Sequence, residues 1–116
     1  SDLLAARTDI QRRIRAAAEN DFVTALYNPG STKRRDLLEF TVETFRKAGG
    51  DELPVAVVHD IARPGERFSI GKISDFPFEE INMTTIVIIG CSRTVVRNGR
   101  MYTLRGYQEK YGGFRQ

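Results

Sequence analysis

The stretch Thr84-Thr85-Ile86-Val87-Ile88-Ile89-Gly90 constrains the fold of this chain more than any other. It is strand-sized, rich in β-branched residues, closed by a glycine and apolar at consecutive positions, which is the pattern of a strand buried on both faces. Such a strand needs hydrogen-bonding neighbours on both edges, so the rest of the chain must build a sheet and helical layers around it. Its apolar run, Ile86 to Ile89, is four residues long and no run in the sequence is much longer, far short of the roughly 20 residues that span a bilayer. With 116 residues there is room for one core. Leu, Ile, Val and Phe supply 31 of them, above the roughly one-fifth floor for a folding chain.

The other elements fall around that strand. Thr8 with Gln11 is a capping-box pattern, and Ile10, Ile14 and Ala17 share one face of a helix that the spacing carries to about Glu19. Asp21 to Tyr27 reads as a strand, and Asn28-Pro29-Gly30-Ser31 as turn chemistry. Ser31 or Thr32 can cap a second helix, whose stripe of Leu38, Val42 and Phe45, flanked by Leu37 and Thr41, stops at Ala48-Gly49-Gly50. Leu53 to Val58 is a buried strand entered through Pro54, and the alternation over Arg67 to Ile73 predicts an edge strand. Residues 74 to 82 read as loop or one loose turn, and Asn98-Gly99 as the turn of a terminal hairpin. From Leu104 the tail is Gly-rich and expected to fray. The sum is a single α/β domain, residues 1 to 116, with a mixed sheet of about five strands and flanking helices.

In such sheets ligands sit beyond the carboxyl ends of strands, which singles out Tyr27-Asn28-Pro29, His59-Asp60-Ile61 and Gly90-Cys91-Ser92. One His and one Cys do not make a metal site. A Cys91–His59 nucleophile pair is formally possible, but a lone cysteine after a buried strand is more often a small core residue. The single cysteine and the absence of a leader-like start at Ser1-Asp2-Leu3-Leu4 lead us to expect a reducing cytoplasm. The net charge of +3 is unevenly spread: six Lys or Arg and one acid follow Gly90. That quarter suits an anionic ligand, and a non-enzymatic basic module that binds RNA is one reading of it. Lys33, Arg34 and Arg35 stand at the start of the second helix, where the macrodipole prefers acids, so either they are a solvated helix start or they serve an anionic ligand.

Several strings resemble a known family. Asp21-Phe22-Val23 leading to Ala25-Leu26-Tyr27-Asn28-Pro29, then Pro54-Val55-Ala56-Val57-Val58, then Thr84 to Gly90, then Gly99-Arg100-Met101 with Thr103 and Arg105-Gly106-Tyr107, occur in that order in the precorrin-3B C(17)-methyltransferases, a branch of the tetrapyrrole methylases. The likeness covers nearly the whole chain and matches the C-terminal domain of these two-domain enzymes, with the N-terminal half absent. It implies a transferase of cobalamin biosynthesis that moves a methyl group from S-adenosylmethionine to carbon 17 of precorrin-3B, with ring contraction, in a cleft between two α/β domains. By the same resemblance Leu26, Tyr27, Asn28, Val55, Ala56 and Ile61 fall at the cofactor wall. Lys33, Arg34, Arg35 and Arg105 become candidates to meet the substrate's acetate and propionate groups, and no residue is assigned as acid or base. A homodimer is a further expectation, since the missing domain leaves an apolar face to cover. Neither a membrane nor a nucleic acid is expected as a partner.

Overall fold

The computed structural model describes residues 2–30 and 34–105. Helix α1 (Asp2–Glu19) is followed by strand β1 (Thr24–Tyr27), helix α2 (Arg35–Gly49), strands β2 (Pro54–His59) and β3 (Arg67–Lys72), β4 (Thr85–Ile89), and the hairpin β5 (Thr94–Arg97) and β6 (Arg100–Thr103). Two 3₁₀ turns, Ile73–Asp75 and Phe78–Glu80, lie between β3 and β4. Four strands form one sheet in the order β1-β4-β2-β3, and the hairpin is a separate pair. Every pairing is antiparallel, so β1 and β2 run the same way with β4 reversed between them. The expected α/β domain with flanking helices is therefore present, but in place of one mixed sheet of about five strands the described strands are wholly antiparallel and divide four and two. After β4 the chain turns at once, because Cys91 N–H donates to the Thr94 hydroxyl at 2.8 Å and Thr94 N–H to the Cys91 carbonyl at 2.9 Å.

The central strand of the sequence reading is β4, hydrogen-bonded to β1 and β2. Its register sets two faces. Val87 and Ile89, both 0% exposed, point to the same side as Val55, Val57 and Leu26, where Leu38, Val42 and Phe45 of α2 and Ala18 of α1 close over them. The helices are tied together by Arg15 of α1, whose guanidinium lies 5.1 Å from the Phe40 ring centre. The opposite face carries Ala25 and Tyr27, Ile86 and Ile88, Ala56 and Val58, and Phe68 and Ile70. None of these joins the helix-covered core; Tyr27 is 68% and Phe68 59% exposed. The chain thus has a sheet apolar on both faces and covered, among the described residues, on one.

Three local readings change. Helix α1 begins at Asp2, with Thr8 inside it, because Leu3, Leu4, Ala5 and Ala6 are strong helix formers and extend it past the capping pattern. The acidic stretch 74–82 is part of the core lid: Ile73, Phe76 and Ile81 are buried beneath the sheet, and Phe76 meets Phe78 edge to face with ring centres 4.7 Å apart. Helix α2 starts at Arg35 with Arg34 at its N-cap and no side-chain cap; Ser31, Thr32 and Lys33 lie outside the described residues, as does the tail from Gly106.

Asp21 holds the far end of the sheet. It has a left-handed backbone, φ 61°, and its carboxylate accepts from Ser92 N–H at 2.8 Å and from the Ser92 hydroxyl. These bonds favour the carboxylate, with the hydroxyl the larger influence, so the Asp21 pKa lies below its ordinary value. A depressed carboxylate pKa stabilises the fold above the unfolded pKa, near pH 4, and that stabilisation is lost as pH falls through the folded value. Asp21→Asn, which tolerates the same backbone, should be less stable than the parent at pH 7 in urea titrations, with the gap closing below about pH 4. The two faces of β4 predict a second contrast: Ile89→Ala should cost about 2–5 kcal/mol in the same titration and Ile88→Ala clearly less, because only the former opens a cavity in a closed core.

Candidate functional site

The antiparallel order decides which loops meet. The carboxyl ends of β1 and β2 and the amino end of β4 share one end of the sheet, since Tyr27 pairs with Ile86, and His59 with Thr85. The third loop expected there, Gly90-Cys91-Ser92, is at the opposite end, where Gly90 N–H donates to the Pro54 carbonyl at 2.8 Å. The reason is β4's reversed direction. It also removes the Cys91–His59 pair, whose members stand at opposite ends of β4, both buried.

At the shared end, three loops are fastened to one another. Gly30 packs on the backbone of Asn82 so closely that a Cβ there would lie 2.2 Å from the Asn82 carbonyl oxygen; only glycine fits. Asn82 Oδ1 accepts from Thr84 N–H at 2.9 Å, from the Thr84 hydroxyl at 2.9 Å and from the Thr85 hydroxyl at 3.0 Å. The Thr85 oxygen also accepts from Asn82 N–H at 3.0 Å and lies 3.4 Å from Nδ1 of buried His59. Asp60 N–H donates to the Thr84 carbonyl at 3.2 Å. Asn82 and Thr85 carry no mark in a search for catalytic types; the Asn-x-Thr-Thr spacing before a strand, a side-chain turn pattern, is the signal that finds them.

Strain gathers at the same end. Of five non-glycine residues with positive φ among the described residues, Asn28 (56°), Asp60 (51°) and Ala62 (64°) follow β1 and β2 directly. Such conformations cost about 1–3 kcal/mol each and concentrate at functional loops. Tyr27 and Asn28 are exposed beside β4, and Ile61, 53% exposed, stands beyond β2. The two groups are separated by two strand spacings, about 10 Å.

The remaining candidates divide. Ala56 lies on the helix-free face. Val55 is 2% exposed beneath the helices, and Leu26 lines a cavity of about 230 Å³ between α1 and α2 with Ile10, Ile14, Pro29, Arg34 and Leu37. Arg34, exposed, donates to the Tyr27 carbonyl at 3.4 Å and so belongs to this end. Arg35 reaches the Phe78 carbonyl at 2.9 Å, fastening α2 to the 3₁₀ turn. Arg105 follows the hairpin, whose last residues are held by Leu104 N–H donating to the Arg93 carbonyl, so it is rooted at the other end of the sheet. Among the described residues no three His, Cys, Asp or Glu side chains come together in a way that could hold a metal ion, and no helix is long and apolar enough to cross a membrane.

No family model matches the chain, but individual proteins do. It is 39% identical over 111 residues to "Cobalamin biosynthesis protein CbiHC" of Archaeoglobus fulgidus, 96% of this chain and 24% of that protein. It is 38% identical over 107 residues to "Probable cobalt-factor III C(17)-methyltransferase" of Salmonella typhimurium, 92% of this chain and 44% of that one. "Precorrin-3B C(17)-methyltransferase" of a Sinorhizobium species is 38% identical over 103 residues, 84% of this chain and 41% of that one. Among solved structures, the methyltransferase CobJ superposes with a TM-score of 0.77 at 26% identity, over 84% of this chain and 41% of that chain. The chain spans less than half the length of these proteins. Sequence likeness along nearly all of the chain and a shared fold show one relationship: the chain is homologous to a domain-sized part of proteins named as C(17)-methyltransferases and cobalamin biosynthesis proteins.

Proposed function

We propose that this chain is the C-terminal domain of an S-adenosylmethionine-dependent methyltransferase that methylates carbon 17 of precorrin-3B, or of its cobalt-containing counterpart, and that it forms one wall of a cleft completed by an N-terminal domain. The observation that carries this reading is the helix-free sheet face, with Tyr27, Ile86, Ile88, Val58 and Phe68 side by side, running up to the strained loops at Asn28 and Asp60–Ala62. An apolar sheet face of that kind is stable only when something covers it, and the relatives are more than long enough to supply a cover. The nucleic-acid alternative draws no support from any of the named relatives.

The residues at this end fit an adenosyl group: an exposed aromatic ring at Tyr27, an exposed apolar side chain at Ile61, and left-handed backbone at Asn28 and Ala62. When bound, S-adenosylmethionine supplies a methyl group on a sulfonium centre. Tyr27, Asn28 and Ile61 would hold the donor in place, with Ala56, buried in mid-sheet between Ile88 and Ile70, supporting them from within. Leu26 and Val55 act from behind, keeping β1 and β2 in register. Transfer to a nucleophilic carbon needs the donor in line, so positioning and exclusion of water do most of the work. Arg34 reaches toward the carboxylates of the tetrapyrrole, Lys33 is placed beside it in sequence, and Arg105 meets the substrate only where the second domain or the tail brings it close. A soluble, cytoplasmic setting follows from this role in tetrapyrrole biosynthesis.

The test is the intact methyltransferase assayed with S-adenosylmethionine and each of the two tetrapyrroles, beside the 116-residue chain alone. The intact protein should turn over and the chain alone should not; turnover by the chain alone overturns the two-wall reading. In the intact protein, Arg34→Gln should raise KM for the tetrapyrrole more than it lowers kcat, since carboxylates far from the reacting carbon are bound equally in ground and transition states. Arg35→Gln should instead lower stability, by about 1–2 kcal/mol for a lost charged hydrogen bond.

Alone, the chain should pair through the open face into a homodimer. Light scattering at about 0.1 mM, a concentration that reveals weak interfaces, should give twice the monomer mass. Phe68→Lys, at the exposed edge of that face, should return it to monomer with an unchanged circular dichroism spectrum.

A further inference from the structure

The turn from β2 into β3 reverses through Asp60–Glu66 and contains two of the left-handed residues. They are not equivalent. Asp60 has local support: its N–H donates to the Thr84 carbonyl at 3.2 Å, its carbonyl accepts from Arg63 N–H at 3.0 Å, and its carboxylate lies 3.6 Å from the Arg67 guanidinium. An aspartate also tolerates positive φ. Ala62, with φ 64°, has a Cβ to strain and no polar side chain to compensate it. Its backbone N–H donates instead to Oε1 of Glu66 at 2.6 Å, a short, charge-assisted bond. Glu66 is itself fixed, its own N–H donating to the Arg63 carbonyl at 3.0 Å. Ile61, between the two reversed residues, is thereby turned outward at the end of β2.

We propose that Glu66 is a positioning residue for the methyl donor: by holding the Ala62 N–H it locks the 60–62 reversal and so presents Ile61 and its flanking peptide groups as a rigid rim for the adenosyl group. This rests on the function proposed above and adds a residue that does not itself touch the ligand. A rim ordered before binding spares the ligand the cost of ordering it. Glu66 is exposed and outside the core, so its loss need not unfold the domain.

Two measurements separate this proposal from the function it rests on. Amide hydrogen exchange on the 116-residue chain reads the clamp without any ligand: Ala62 should exchange slowly in the parent and in Glu66→Gln, whose amide oxygen still accepts, and at least ten-fold faster in Glu66→Ala, with unchanged Tm. Exchange that is indifferent to Glu66→Ala overturns the clamp and leaves the methyltransferase reading standing. In the intact methyltransferase, titrated with S-adenosylmethionine, Glu66→Ala should weaken binding roughly ten-fold, the order expected for re-ordering a short loop, and raise KM for the donor with kcat little changed, while Glu66→Gln retains parental affinity. Faster exchange with unaltered donor affinity overturns the positioning role. Failure of the parental protein to bind S-adenosylmethionine at all overturns the functional reading and this proposal with it.

Discussion

The structure depends on β4 being hydrogen-bonded along both edges. Reversed between β1 and β2, it fixes their register and brings Val87 and Ile89 under the helices. The same reversal separates the ends of the molecule. The strained loops gather where β4 begins, and the buried Cys91 and the root of the basic hairpin lie where it ends. An all-parallel sheet would have put all three loops together, and the chemistry suggested by residue types alone would have looked quite different.

What could be read in advance follows from what the signals encode. The 3.6-residue stripe of Leu38, Val42 and Phe45 and the Asn98-Gly99 turn were legible because period and turn chemistry are local properties. The direction of β4 is not local: an apolar run such as Ile86 to Ile89 looks the same forwards and backwards, so the sequence alone does not tell at which end of the sheet Gly90-Cys91-Ser92 lies. The core role of Ile73, Phe76 and Ile81 was hidden by acids and a proline around them, because a 3₁₀ turn gives no sustained period. At the candidate site Tyr27 and Asn28 were visible through turn chemistry and resemblance. Arg35 was grouped with Arg34 by adjacency, yet successive residues of a helix start point about 100° apart, and the two serve different neighbours. Asn82, Thr85 and Glu66 are hard to single out from residue type because their roles lie in local bonds that shape loops, three or four residues apart, and not in reactive chemistry.

The second apolar face gives the sequence signal for β4 a fuller meaning. The consecutive Ile86-Val87-Ile88-Ile89 run reads as burial on both sides, and the fold satisfies one side from within. The other side, with Ile86 and Ile88 half-buried, is the face that the function proposed above covers with a second wall. A strand's composition can thus record an interface as faithfully as it records a core, because both ask for the same side chains.

The sheet order also governs how this domain can come together. β2 and β3 are joined by one short reversal and can pair as soon as both exist. β1 ends at Tyr27 and waits for a partner that begins at Thr85, so its ladder closes a loop of about sixty residues, the costlier step in chain entropy. Emerging from a ribosome, the amino-terminal third of the domain would carry its strand unpaired until nearly the whole sheet had been made. The bonds that seat Tyr27 beside β4 are then among the most non-local in the fold, and that end of the sheet is completed only when the late pairing forms.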